Sequence, residues 1–232
     1  MRRFARLLSV VVCLGFGLTP AFAQDSRQNE PGKFDFYLLS LSWSPTFCEE
    51  RGESRNAKQQ CGERPFSFVV HGLWPQYEKG FPEFCQNPPA FVDNKIIGSM
   101  LDLMPARGLI INEWKKHGTC TGLSVQGYFQ LVRQVRAAVK IPPDYLDLKQ
   151  PLTVTPDEIE EAFIKVNPGM TRAGIAVTCN SPRLSEVRIC MTRDLKFREC
   201  PEVDQRACTR DKLTMPPVRG GSARSSRAGT EG

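Results

Sequence analysis

Histidine is scarce in this chain: 232 residues hold two, His71 and His117. Two imidazoles are too few neutral ligands for an ordinary zinc centre, and neither H-E-x-x-H nor C-x-x-C spacing occurs. The absence of a G-x-S-x-G turn removes nucleophile-elbow serine chemistry. Long apolar runs are missing too. The longest covers residues 7–18, about a dozen positions, where a membrane helix needs roughly 20. Nor is there a large excess of charge. Setting aside three arginines in 1–23, and three arginines with Glu231 in 217–232, leaves 25 basic against 24 acidic residues. So neutral a body offers no basic stripe for wrapping nucleic acid, and a polyanion would be held at a short local site such as one around Lys115 and Lys116. No N-x-[ST] acceptor occurs, since Asn180-Ser-Pro fails the pattern, and no internal repeat is visible.

What is present begins with an export signal. Arg2, Arg3 and Arg6 precede the apolar stretch and Ala21-Phe-Ala23 forms a small-residue cleavage site, so residues 1–23 are expected to be removed and the mature chain to start at Gln24. Cys13 leaves with them. The eight remaining cysteines, at 48, 61, 85, 120, 179, 190, 200 and 208, are an even set in an exported chain and predict four disulfides. Spacing leaves their pairing open, because eight cysteines pair in roughly a hundred ways. Oxidised, they also leave no thiolate for cysteine-nucleophile chemistry. The expected location is the periplasm or the extracellular medium. Residues 24–33 are polar and predict a flexible leader. Residues 217–232, rich in Gly, Ser and Arg, predict a disordered basic tail. Between them, 34–216 suits a single domain with one core. Nothing in the sequence calls for a cofactor, a membrane or an obligate protein partner, and a monomer is expected.

Residues 34–43 are aromatic and aliphatic and predict a buried strand ending at Ser44-Pro45. Residues 48–64 read as a charged loop stapled by cysteines. A second strand over 65–70 would put Ser67, Val69 and His71 on one face, with His71 at its end. The spacing of Val92, Ile96, Met100, Leu101 and Met104 predicts a helix stopped by Pro105. New helical turns are expected from Asn112, and an amphipathic helix over 128–139. Thr155-Pro-Asp-Glu158 is a capping-box start for another helix. A strand over 175–179 and a hairpin of 185–191 with 195–198 complete an α+β pattern.

Two stretches carry chemistry: Val70-His-Gly-Leu-Trp-Pro75 and Ile111-Asn-Glu-Trp-Lys-Lys-His-Gly-Thr-Cys120. Helical spacing in the second gathers Glu113, Lys116 and His117 on one face, with Gly118 as the stop. Singly, a histidine, a lysine pair or a tryptophan is usually structural. Jointly, two imidazoles with a carboxylate and an ammonium suit a reaction that removes a proton on one side of an atom and supplies one on the other. In-line displacement at phosphorus by a ribose 2′-hydroxyl is such a reaction, with Lys116 neutralising charge on the equatorial oxygens.

Phe68-Val-Val-His71-Gly-Leu-Trp-Pro75 and Asn112-Glu-Trp-Lys-Lys-His117-Gly-Thr-Cys120 resemble the two active-site segments of the ribonuclease T2 family, in order and separation. The resemblance extends to Leu41-Ser-Trp-Ser-Pro-Thr-Phe-Cys48 and Glu186-Val-Arg-Ile-Cys190, and so spans roughly residues 34–208. It implies an α+β domain with a central antiparallel sheet flanked by helices, acting as a metal-independent endoribonuclease of low base specificity on single-stranded RNA. His117 would be the general base and His71 the general acid, while Glu113 and Lys116 stabilise the phosphorane. Trp74 and Gln76 fall at base-site positions, and Tyr77 or Phe81 would stack. The resemblance pairs Cys85 with Cys120, Cys179 with Cys208 and Cys190 with Cys200, which leaves Cys48 with Cys61. The chain departs from the family at Asn112, where many members carry a third histidine that contacts phosphate. A rival reading is a disulfide-stapled binding or effector protein on the same fold, and another is a metal-dependent phosphodiesterase.

Overall fold

A computed structural model describes residues 27–52, 57–62 and 66–218. The expected signal segment 1–23, the first residues of the leader and residues 219–232 of the expected tail lie outside the described residues, as do 53–56 and 63–65. In chain order the elements are β1 (Phe36–Trp43), α1 (Ser44–Arg51), α2 (Lys58–Cys61), β2 (Phe68–Gln76), α3 (Asn94–Met100), α4 (Arg107–Lys116), α5 (Val125–Ala138), β3 (Leu152–Val154), α6 (Pro156–Val166), β4 (Ile175–Asn180), β5 (Arg183–Met191), α7 (Pro201–Asp204) and β6 (Leu213–Met215). None of the described helices is long and apolar enough to cross a membrane.

A strand apolar on both faces belongs in the middle of a covered sheet. β1 takes that place, antiparallel to β2 on one edge and to β5 on the other. The sheet runs β2-β1-β5-β6-β3, with β4 antiparallel to β5 along its other edge. It is antiparallel except where Arg183 of β5 meets Thr214 of β6. One face packs the main core against the helices, with Trp43, Phe68 and Phe163 in edge-to-face contact at 4.9 and 5.5 Å. The opposite face carries a smaller cluster of Phe36, Leu38, Ala176, Cys190, Cys200 and Val203. α6 starts as its capping box predicts, Thr155 Oγ1 accepting from Glu158 N and Glu158 Oε2 accepting from Thr155 N. All four disulfides have the pairing that the resemblance implies.

Several expectations need correction. The second strand runs to Gln76, six residues past its expected end, so His71 sits inside it. The stapled loop takes in the last turn of α1 and all of α2, because Ser44-Pro45 starts a helix where it was read only as ending a strand, proline being pre-organised for the first turn. α3 is shorter than expected: the Asp93 side chain caps it by accepting from Ile96 N, and Phe91 stays exposed. α4 begins at Arg107, so Asn112 lies in its second half. The expected hairpin reduces to one bridge, Met191 to Phe197, because β5 spends its edges on β1 and β4 and Leu195 turns with φ +64°. The leader is docked from residue 27 onward: Arg27 pairs with Asp35, and Gly32 N donates to Cys120 O at 2.9 Å. Pro217 and Val218 are ordered where a disordered tail was expected. Val218 is buried and its N–H donates to Leu148 O.

Candidate active site

One irregularity in the sheet builds half the site. Ser40 faces Gly72 and Leu41 faces Val70, so His71 is an extra residue with no counterpart on β1. A bulge of this kind re-aims side chains, and here it flips the alternation of β2. Phe68 and Val70 point into the main core before it, Leu73 and Tyr77 after it. On the other face His71, Trp74 and Gln76 line one cleft, although regular alternation would put His71 and Trp74 on opposite sides. The cleft encloses about 310 Å³.

The second half comes from the end of α4. Asn112, Glu113 and Lys116 reach the cleft from its last turns, and His117 caps the helix with its N–H donating to Glu113 O. Glu113 is 2% exposed and accepts a 2.7 Å hydrogen bond from Trp74 Nε1, which locks α4 to β2. Its other oxygen stands 3.8 Å from His71 Nε2. The Trp74 ring packs against both imidazoles, 5.3 Å from His71 and 5.2 Å from His117. The four residues expected to carry chemistry and the three expected to bind substrate therefore meet in one place.

A third wall, residues 77–89, is held by backbone and disulfide. Phe84 N donates to Lys116 O at 2.8 Å, Cys85 N to Thr119 Oγ1 at 3.2 Å, and Cys85 bonds to Cys120. Phe81 is 40% exposed and 6.3 Å from His117. Tyr77 is buried instead, its hydroxyl donating to Arg27 O and accepting from Asn29 N, so it clasps the leader. Gln76 is buried and its amide donates to Pro75 O.

Sequence reasoning gave no role to Glu186, Arg188 or Glu83. His71 Nδ1 is hydrogen-bonded to Glu186 Oε1, and Arg188 donates to Glu186 Oε2 from Nε and Nη2 at 3.0 and 2.9 Å. Lys116 Nζ lies 3.4 Å from Glu83 Oε2. The alternation of residues 185–191 places Glu186 and Arg188 on one face, but nothing local says that β5 adjoins β1.

Electrostatics separates the two histidines. Burial disfavours charge on His71, but the hydrogen bond and charge of Glu186, helped by Glu113, outweigh burial and the opposing Arg188, and its pKa is raised above the usual 6.5. His117 goes the other way, down to about 3, chiefly from burial, with the charges of Lys116 and His71 adding to it. Its Nδ1 is buried without a hydrogen-bond partner among the described residues, which adds to the cost of the charged ring, where both nitrogens must donate. Burial raises Glu113 against the opposing His71, Trp74 and Lys116. Burial would also raise Glu186, but His71 and Arg188 hold it down to about 2. The cleft thus holds one imidazole that keeps its proton more firmly than usual and one that gives it up readily, which is the equipment of acid–base chemistry.

Fold and site together define a disulfide-bonded α+β protein with two histidines in one cleft. Residues 34–200 match the Ribonuclease T2 family, and the chain belongs to that family. It is 41% identical over 128 residues to a ribonuclease of Aeromonas hydrophila, covering 55% of this chain and 57% of that protein. It is 30% identical over 185 residues to a probable ribonuclease of Haemophilus influenzae, covering 75% of this chain and 63% of that one. In each case the match spans less than two thirds of the relative's length. Among solved structures the fold is similar to an RNase-related protein from Calystegia sepium, with TM-score 0.65, 22% identity, and coverage of 80% of this chain and 98% of that one.

Proposed function

We propose that the protein is a metal-independent endoribonuclease that cleaves single-stranded RNA in two steps. The observation that carries this is the convergence of His71, Glu113, Lys116 and His117 on one cleft, with His71 held by Glu186 and His117 buried. His117, uncharged, takes the proton of a ribose 2′-hydroxyl, whose oxygen attacks the adjacent phosphorus. His71, protonated, gives its proton to the departing 5′-oxygen, which leaves a 2′,3′-cyclic phosphate. Water then opens the ring with the histidines' roles exchanged, yielding a 3′-phosphate. Glu113 and Lys116 stabilise the charge that gathers on the phosphoryl oxygens. Trp74 and Phe81 offer faces for base stacking, Asn112 a hydrogen bond to phosphate, and Gln76 one polar group at the base site. So few base-reading groups favour low base specificity.

The need for a 2′-hydroxyl makes DNA a poor substrate. Four disulfides suit an oxidising compartment, periplasmic or extracellular, reached through cleavage after Ala23, and the protein acts there as a monomer. A binding protein on this fold has no need of two oppositely poised imidazoles. The test is digestion of RNA by His71→Ala and His117→Ala, each expected to lose at least about 100-fold in kcat/KM. Cleavage retained at the wild-type rate in either variant contradicts the assignment.

A further inference from the structure

The groups next to His71 on the sheet are not used in the reaction described above. Glu186 is 7% exposed, and both its carboxylate oxygens are engaged. Oε1 meets His71 Nδ1, with Ser42 Oγ at 3.5 Å, and Oε2 takes the two donors of Arg188. The sheet explains how groups 115 positions apart meet. β1 separates β2 from β5, with Ser42 opposite both Val69 and Glu186, and Ser40 opposite both Gly72 and Arg188. On the cleft face β1 therefore presents two small side chains at this level, and the bulged His71 reaches across them to β5. A leucine such as Leu38, one pair further along, would fill that space.

We propose that Glu186 is a positioning residue for the leaving-group proton, and that Arg188 fixes Glu186 in turn. By accepting from Nδ1, the carboxylate orients the ring and leaves the transferable proton on Nε2, the nitrogen facing Glu113 and the cleft. Arg188, bound through two nitrogens to the far oxygen, keeps Glu186 ionised and prevents it from rotating away. This role rests on the ribonuclease reading, in which His71 is the acid. The charged and titratable groups facing His71 are Glu186 and Arg188 from β5, Glu113 from α4, and His117 beyond it. Glu186 is the largest of the influences favouring the protonated ring.

The chain's two histidines make the test direct, since two imidazole signals report the whole titration and His71→Ala assigns them. In Glu186→Gln the His71 midpoint should fall by about one pH unit or more, with His117 little changed. In Arg188→Gln it should also fall, though by less, because Glu186 is no longer held; a rise would leave Arg188 only as a charge opposing His71 and overturns its part of the proposal. Activity is read on two substrates. On a dinucleoside phosphate, Glu186→Gln should lose about 10- to 100-fold in kcat/KM, and its alkaline limb should move to lower pH. On uridine 3′-(4-nitrophenyl phosphate), whose leaving group departs without a proton, the loss should shrink to about threefold or less. An unchanged His71 midpoint in both variants, or an equal loss on both substrates, overturns the role. Wild-type protein that cleaves neither substrate overturns the ribonuclease reading, and this role with it.

Discussion

The hydrogen bond between the Glu113 carboxylate and the Trp74 indole passes where a Cβ on Gly72 would stand. Gly72 is thus glycine for close approach, since its side chain would displace two residues of the cleft at once. Gly72→Ala is expected to cost about 100-fold in kcat/KM, the scale of a ~1 Å error at a catalytic group. Steady-state kinetics with a circular-dichroism control checks this, and a near wild-type rate contradicts it. Asn112 lines the cleft on the helix that carries Glu113, yet it bears no charge where many family members have a third histidine. Asn112→His should lower KM severalfold with kcat little changed, and an unchanged KM counts against a role in binding phosphate. At this scale the sequence was largely readable. His71, Glu113, Lys116 and His117 stand in short motifs whose chemistry is coherent. Glu186 was not readable as a partner, because a contact 115 residues away leaves no local trace.

At the scale of elements, period and capping revealed α5 and α6, while boundaries set by pairing stayed hidden. The bulge at His71 exists only in the register between β1 and β2, and no pattern within 65–76 announces it. β3 and β6 are three residues each, too short for alternation to register. α6 also carries a buried carboxylate that the pattern could not flag. Glu160 Oε1 accepts from Val177 N at 3.2 Å, tying the helix to β4, and burial holds its pKa up at about 7 against the opposing Val177 N–H and Arg172. The folded state therefore keeps a proton that the unfolded chain releases near pH 4.5. Stability from this group is full below that pH and is lost as pH rises through 7. Glu160→Gln keeps an acceptor for Val177 and cannot ionise, so Tm should fall less between pH 5 and pH 8 than in the wild type. Melting curves across that range check it, and parallel slopes in the two proteins contradict it.

Over the whole molecule the disulfides divide by purpose. Cys85–Cys120 spans 35 residues and pins the loop bearing Phe81 and Glu83 to the end of α4, whereas Cys48–Cys61 spans 13 residues and joins α1 to α2 away from the cleft. Chain entropy assigns each about 3 to 4 kcal/mol. Replacing Cys85 and Cys120 by serine should therefore lower both stability and kcat/KM, the latter at least about 10-fold. Replacing Cys48 and Cys61 should lower stability alone. Denaturant unfolding and kinetics on both variants separate the two, and an equal loss of activity contradicts the division. The architecture was legible in outline as α+β with four bridges, but residues 27–33 and 217–218 are docked where flexible segments were expected. The leader from Arg27 onward is anchored by contacts to Asp35, Tyr77 and Cys120, and Val218 by Leu148, partners that polar composition does not reveal.

In the proposed reaction His71 and His117, rather than a metal, supply the acid and the base. Digestion of a defined RNA in the presence of EDTA, followed by analysis of the product ends, tests it most directly. Undiminished cleavage giving 2′,3′-cyclic phosphate ends that mature to 3′-phosphates is the predicted result. Loss of cleavage in EDTA, or products ending in 5′-phosphate, would contradict it.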